Sequence, residues 1–284
     1  MIIGGSKKSV IENIEQNITT EKFNSKVEVN DATLSPAETS RLLAANLKRR
    51  QSARYAFNNW LARMIMNSTT KLINRHTEII GLENLLGLEN GAIVTSNHFS
   101  PLENTIVRQT LRQIGTKRLF VVSQATNLLA QGVVGYLLKY ADTLPIGGDK
   151  EYMGREFPKQ LQQLLNQQQF ILIYPEQEMW FNYRKPRPPK RGAYYYAARF
   201  QVPIVSCFVE IIELPRRDNA EFNQTRYRMH VLPTIFPDTA KSARENSIAM
   251  MQQDYAQKKQ AYEQAYGQPL NYQFSTSDIA GWRG

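Results

Sequence analysis

The run Ala92-Ile93-Val94-Thr95-Ser96-Asn97-His98-Phe99-Ser100-Pro101-Leu102-Glu103 decides the fold. Its first four residues read as a short buried strand. Ser100-Pro101-Leu102-Glu103 reads as a helix start, with Ser at the N-cap, Pro at the first helical position and Glu at the third. Ile106, Val107, Leu111 and Ile114 continue that start at helical spacing, which predicts a helix from Pro101 to Ile114. A strand therefore delivers His98 to a tight turn, and the next helix carries Glu103 five residues later.

Two readings of this spacing stand side by side. In one, Glu103 reaches back to one imidazole nitrogen while the other faces a cleft, and His98 serves as a general base on a hydroxyl or an amine. In the other, Glu103 satisfies backbone donors as part of a capping box, and His98 is a polar loop residue. The two roles compete for one carboxylate. A division in which Ser100 caps the helix and Glu103 serves His98 accommodates both.

Strands and helices alternate through the rest of the chain. Arg118 to Val122 is β-rich, Asn127 to Tyr140 is helical, Leu144-Pro145-Ile146 is a short strand and Phe157 to Gln167 is helical. Phe170 to Tyr174 is a buried strand ending in Pro175-Glu176, followed by a basic loop from Tyr183 to Gly192. A helix from Ala193 to Phe200, a buried strand from Val202 to Val209 and an alternating strand from Arg226 to Leu232 follow. This order predicts an α/β fold: a single layered domain with a largely parallel central sheet flanked by helices. Sites in such sheets gather at the carboxyl ends of strands, so Asn97-His98 and Pro175-Glu176 are expected to share one cleft.

The domain is expected at residues 76–240. Residues 1–35 are polar without a sustained period and read as a mobile leader with one short helix around Val10 to Asn17. Residues 36–75 form a basic amphipathic helix or helix pair. From Arg41 to Arg75 there is no acidic residue, while Leu43, Leu47, Phe57, Trp60, Leu61 and Met64 supply apolar surface, a combination suited to an anionic membrane interface. Residues 241–284 read as a polar helix to Tyr266 and a loose tail.

With 35 Lys and Arg against 25 Asp and Glu, the formal charge is +10, which points to an anionic partner. The charge sits mainly in the amphipathic region and the Pro-rich loop, and no nucleic-acid motif accompanies it, so no nucleic-acid partner is expected. One cysteine, Cys207, excludes an internal disulfide and reads as a small core residue in its apolar run. There is no Gly-x-Ser-x-Gly elbow, and His98 and Glu103 lack further metal ligands at useful spacing, so no metal is expected. No stretch approaches the roughly 20 apolar residues that span a bilayer, and Met1-Ile2-Ile3 is too short for a secretory signal. The expected location is the cytoplasm, peripheral on the membrane's cytoplasmic face.

Four blocks carry a family resemblance. Ile80-Gly81-Leu82-Glu83-Asn84-Leu85 and Ile93 to His98 with Glu103, then Tyr174-Pro175-Glu176, Lys190-Arg191-Gly192-Ala193 and Val202-Pro203-Ile204-Val205, resemble the glycerolipid acyltransferases of the lysophosphatidic acid acyltransferase type. The resemblance covers roughly residues 75 to 235, in the family's order. It implies no bound cofactor, an acyl donor that is acyl-CoA or acyl-carrier protein, and transfer to a hydroxyl of a lysophospholipid-like lipid acceptor. His98 would be the base and Glu103 its orienting acid. An N-acyltransferase on a lipid amine and a catalytically silent membrane-associated relative remain alternatives.

The chain departs from the family in four places, one of them Ser206, which stands where the fourth block usually has a second Pro. The acid is Glu103 where Asp is usual, Gln177-Glu178-Met179 stands where Gly-Thr-Arg is usual, and Pro145-Ile146-Gly147-Gly148 lacks the usual arginine. Substrate contacts are therefore expected from Asn97, Glu176, Arg184, Lys185, Arg187, Lys190, Arg191 and Gly192, with the basic loop taking over the acceptor phosphate. That loop could equally hold the donor's phosphates or be a solvated surface loop. Glu176 is expected as an anchor or acceptor partner rather than a second base.

Overall fold

The structure is a computed structural model and describes residues 6–29, 33–88, 90–115 and 118–284. Strand β2 (Ala92–Thr95) is buried at all four residues and lies between two parallel neighbours, as its unbroken apolar run requires. These are β5 (Phe170–Leu172) and β6 (Ile204–Arg217). β3 (Leu119–Gln124) and β4 (Thr143–Ile146) extend the sheet beyond β5, and β7 (Asn223–Val231) and β1 (Glu78–Ile80) extend it beyond β6. The order is β1-β7-β6-β2-β5-β3-β4, with every pairing parallel except β6 with β7. From β2 the chain winds to one flank, and from β5 it crosses to the other, so the order reverses beside β2. The crevice at the carboxyl ends of β2 and β5 is where such a sheet takes a ligand.

Period-two alternation divides the sheet's side chains between two cores. Ile93, Ile171 and Ile204 face a layer built from α2 (Pro36–Arg50), α6 (Phe157–Asn166), α7 (Gly192–Phe200) and α8 (Ala243–Tyr266), with Leu43, Phe157, Leu161, Tyr194 and Met250 as fillers. Ala92, Val94, Phe170, Leu172 and Val205 face Ile106, Val107 and Leu111 of α4 (Asn104–Gln113). Cys207 sits in this second core, and burial pushes its thiol up to about 12, which leaves it inert as a nucleophile. Gly81 closes the turn after β1 at φ +79°, where a Cβ would lie 2.1 Å from the Val231 carbonyl oxygen.

The basic region is a helix pair. α2 starts at the Ser35–Glu38 capping box, and the chain breaks at Gln51 and restarts at Ser52, which caps α3 (Ala53–Ile73) by accepting from Tyr55 N. The helix expected over 127–140 is likewise split, into a 3₁₀ turn at Ala125–Leu129 and α5 (Gly132–Tyr140).

Both ends of the chain differ from expectation. α1 (Lys8–Thr19) buries Val10, Ile11, Ile14 and Ile18 against Trp180, Phe181, Tyr183 and Phe222, so residues 6–29 are packed rather than a mobile leader. The apolar positions Val10, Ile14 and Ile18 form one helical stripe that a polar average hides. The remainder of that expectation, residues 1–5 and 30–32, lies outside the described residues. The tail is packed too, with Ile279 and Ala280 buried and Asn182 paired to Ala280.

Candidate active site

The turn after β2 is pinned before His98 projects from it. Asn97 is buried, and its amide donates to Val209 O at 3.0 Å while its carbonyl accepts from Val209 N at 2.8 Å. The side chain thereby replaces a peptide unit in pairing with β6. Asn97 is engaged within the fold rather than facing a substrate as expected. The His98 and Phe99 carbonyls accept from Trp180 N and Asn182 N at 3.0 and 2.9 Å. The Phe99 ring is fully buried.

Glu103 closes the turn from the other side. One carboxylate oxygen, Oε1, accepts from His98 Nδ1, and Oε2 accepts from Phe99 N at 3.1 Å and from Ser100 N. Ser100 Oγ accepts from Leu102 N at 3.3 Å, and α4 begins only at Asn104, with Glu103 in the N-cap position. The two readings of Glu103 are therefore not exclusive, because its two oxygens divide the work. Nδ1 is committed to the carboxylate, so the lone pair belongs to Nε2, which has no hydrogen-bond partner among the described residues. The imidazole is 20% exposed. Its face lies on the Tyr174 ring, with centroids 4.0 Å apart and planes 8° from parallel. Burial and the neighbouring Glu103 charge push the Tyr174 phenol well above its ordinary range.

The loop after β5 backs this turn. Glu176 Oε2 accepts from His98 N at 3.2 Å and from Arg187 Nε at 3.0 Å, while Oε1 accepts from Arg187 N at 3.0 Å. Arg187 is 2% exposed and also donates to the carbonyls of Phe23, at 2.8 Å, and Glu178. Burial pulls its guanidinium below the ordinary range and the Glu176 carboxylate opposes that pull. Glu176 thus ties the His98 turn to the loop after β5, and both it and Arg187 are engaged inside the protein rather than facing a substrate as expected.

Two other basic residues are also engaged inside the protein, contrary to the expectation that they grip a substrate. Lys185 is buried on Asp278 at 2.8 Å and on Gln273 O at 2.9 Å. Arg184 reaches Glu213 at 3.3 Å and Ser277 O at 2.9 Å. The physical reason is the tail, whose acid and carbonyls neutralise the loop. Lys190, Arg191 and Gly192 remain exposed at the start of α7, joined to the site where Lys190 N donates to Pro175 O at 2.7 Å.

Sequence reasoning missed three supports. Thr95, the last residue of β2, donates to buried Asp254 at 3.0 Å, and Lys258 Nζ donates to Asp254 at 2.7 Å and to Thr95 at 2.9 Å. Tyr194 OH completes the cluster on Asp254 at 2.5 Å. An Asp and a Lys four apart on a polar helix carry no sign of burial, since the same spacing marks surface pairs. Asn24 Nδ2 donates to both Glu176 O and Pro188 O, at 3.2 and 3.0 Å, in a segment read as leader. Tyr174 was legible as a strand end but not as the platform beneath the imidazole.

Comparison with known proteins adds two findings. Residues 76–210 match the family model described as Acyltransferase. The crystal structure of the 1-acyl-sn-glycerophosphate (LPA) acyltransferase PlsC from Thermotoga maritima is similar in fold, with a TM-score of 0.50 and 13% identity over 82% of this chain and 97% of that one. None of the curated proteins matches the chain in sequence.

Arg187→Met leaves Glu176 buried and uncompensated, and is expected to lower stability by about 3–5 kcal/mol in urea unfolding. Loss of less than about 1 kcal/mol, within the range of an exposed pair, would show that the two charges are not mutually dependent.

Proposed function

Residues 76–210 of this chain belong to the acyltransferase family, and from that premise we propose that the enzyme esterifies a hydroxyl of a lysophospholipid-like acceptor with a fatty acyl group from acyl-CoA or acyl-carrier protein. The observation that carries this reading is the His98–Glu103 pair, with Nδ1 engaged and Nε2 free. Nε2 takes the acceptor hydroxyl's proton as its oxygen attacks the thioester carbonyl. Glu103 stabilises the imidazolium that forms. The tetrahedral intermediate collapses with cleavage of the carbon–sulfur bond, and the departing thiolate recovers the proton from His98. One ester forms, one thioester breaks and a thiol leaves, with no covalent enzyme intermediate. The inert, buried Cys207 is consistent with that route.

The acceptor phosphate is assigned to Lys190 and Arg191, the exposed members of the basic loop. α7 begins beside them, and its unpaired backbone N–H groups favour an anion. The enzyme works at an anionic membrane surface. α3 exposes Phe57, Trp60, Met64 and Leu72, and α5 exposes Val133 and Val134. Arg41, Lys48, Arg54, Lys71 and Arg75 are exposed on the same helix pair and its end. Among the described residues no helix is long and apolar enough to cross a membrane, so the contact proposed is peripheral, on the cytoplasmic leaflet.

His98→Ala is expected to abolish acyl transfer with an unchanged thermal melt; retained turnover would remove the base from the mechanism. Lys190→Ala with Arg191→Ala is expected to raise KM for lysophosphatidate about tenfold or more while barely affecting a phosphate-free lysolipid, because charge-assisted contacts of about 1.5–3 kcal/mol are lost. Equal losses on both acceptors would move the phosphate elsewhere. Trp60→Glu with Met64→Glu is expected to abolish sedimentation with anionic vesicles, and undiminished sedimentation would reject α3 as the membrane face.

A further inference from the structure

We propose that Tyr174 is a positioning residue for acyl transfer, holding the His98 ring face to face and favouring it when it carries the proton. The inference rests on the reading of His98 as the base. The two rings are nearly coplanar in stacking, 8° apart with centroids at 4.0 Å. Such a stack does two things. It fixes rotation of the imidazole about its own bond, so that Nδ1 meets Glu103 and Nε2 is left without a hydrogen-bond partner among the described residues. It also sets the electron-rich face of a phenol ring against a group that becomes cationic during the reaction, and a cation over an aromatic face is attracted by the ring quadrupole. Glu103 acts in the ring plane and Tyr174 acts perpendicular to it, so the imidazolium is supported on two axes.

The phenol oxygen is not what makes the contact. It is buried beside the Glu103 carboxylate, without a well-formed hydrogen bond among the described residues. The ring and the hydroxyl are therefore separable by substitution. The placement of Tyr174 is itself rigid: it lies two residues past the end of β5, and the next two residues, Pro175 and Glu176, are held by Lys190 N and Arg187. Because attraction to the ring grows when the imidazole becomes charged, its loss should appear in kcat more than in KM.

The test uses the full-length enzyme with Tyr174→Phe and Tyr174→Leu, and a readout that needs no substrate. The chain has 3 histidines, so their ring signals can be assigned by NMR from single His variants. A parallel aromatic ring shields the protons of its neighbour, placing the His98 signals upfield. Expected for Tyr174→Leu are a downfield move of those signals and a kcat lowered about tenfold, with KM within about twofold. Tyr174→Phe should keep both the shielding and the turnover. Should the Leu variant fail to fold, Tyr174→Met fills similar space with a flexible side chain and is read the same way.

Unmoved His98 signals in the Leu variant would show that the rings do not stack. Moved signals with wild-type kcat would reduce the stack to packing, and an equal fall for Phe and Leu would transfer the effect to the hydroxyl. Each overturns the inference while His98→Ala remains inactive. Turnover by His98→Ala would instead overturn the base assignment, and the NMR comparison tells the two failures apart.

Discussion

One carboxylate holds the turn that carries His98. Glu103 receives His98 Nδ1 on one oxygen and the N–H groups of Phe99 and Ser100 on the other. Those two backbone donors belong to a tight turn entering a helix, where no intrahelical acceptor exists for them. Orienting the imidazole and capping the turn are thus a single event: any movement of Glu103 that frees the histidine also strands two buried donors.

That turn is held from behind by charges buried in pairs. Glu176 and Arg187 connect it to the loop after β5, and Asp254, Lys258 and Tyr194 grip Thr95 at the end of β2. Buried ion pairs add little net stability, but each partner is costly to leave alone, so they specify one arrangement of the elements that carry them. The ends of the chain serve the same purpose. Phe23, Asn24 and Ser25 give contacts to Arg187, Glu176 and Trp180, and the tail receives Arg184 and Lys185. The basic loop is consequently a strut for most of its length, exposed at its end, Lys190 to Gly192.

The apolar helix pair is tied to the same framework. Asn74, at the end of α3, donates to Thr105 in α4 at 2.9 Å, and Arg112 of α4 donates to Asn67 O at 3.0 Å. Arg118 and Asn59 meet at Asp142, which joins α3 to the β3 flank of the sheet. The helix that exposes Trp60 and Met64 is therefore connected through polar contacts to the helix that begins at Glu103. A surface docked through α3 would hold the catalytic turn at a fixed height above it.

The local patterns were sufficient for the strand–turn–helix unit around His98, the alternation of strands and helices, and the helical character of residues 36–75, because each depends on neighbours within a few residues. Apolar runs four residues long read as buried strands in such an alternation; of the two Ser-Pro-x-Glu stretches, the one at Ser35 opens α2, whereas the one at Ser100 forms a turn ahead of α4. What the tertiary structure alone decided are contacts between distant residues of similar type. Arg187 and Lys190 are both basic loop residues three apart, yet one is buried because Glu176 and Phe23 O meet it and the other is not. Asp254 and Lys258 look like a solvated pair until β2 arrives beneath them. Residues 6–29 look like part of a leader until Trp180 and Phe222 cover the stripe on α1. Charge and hydropathy are properties of single residues, whereas burial belongs to the pair, and only the folded chain brings the pairs together.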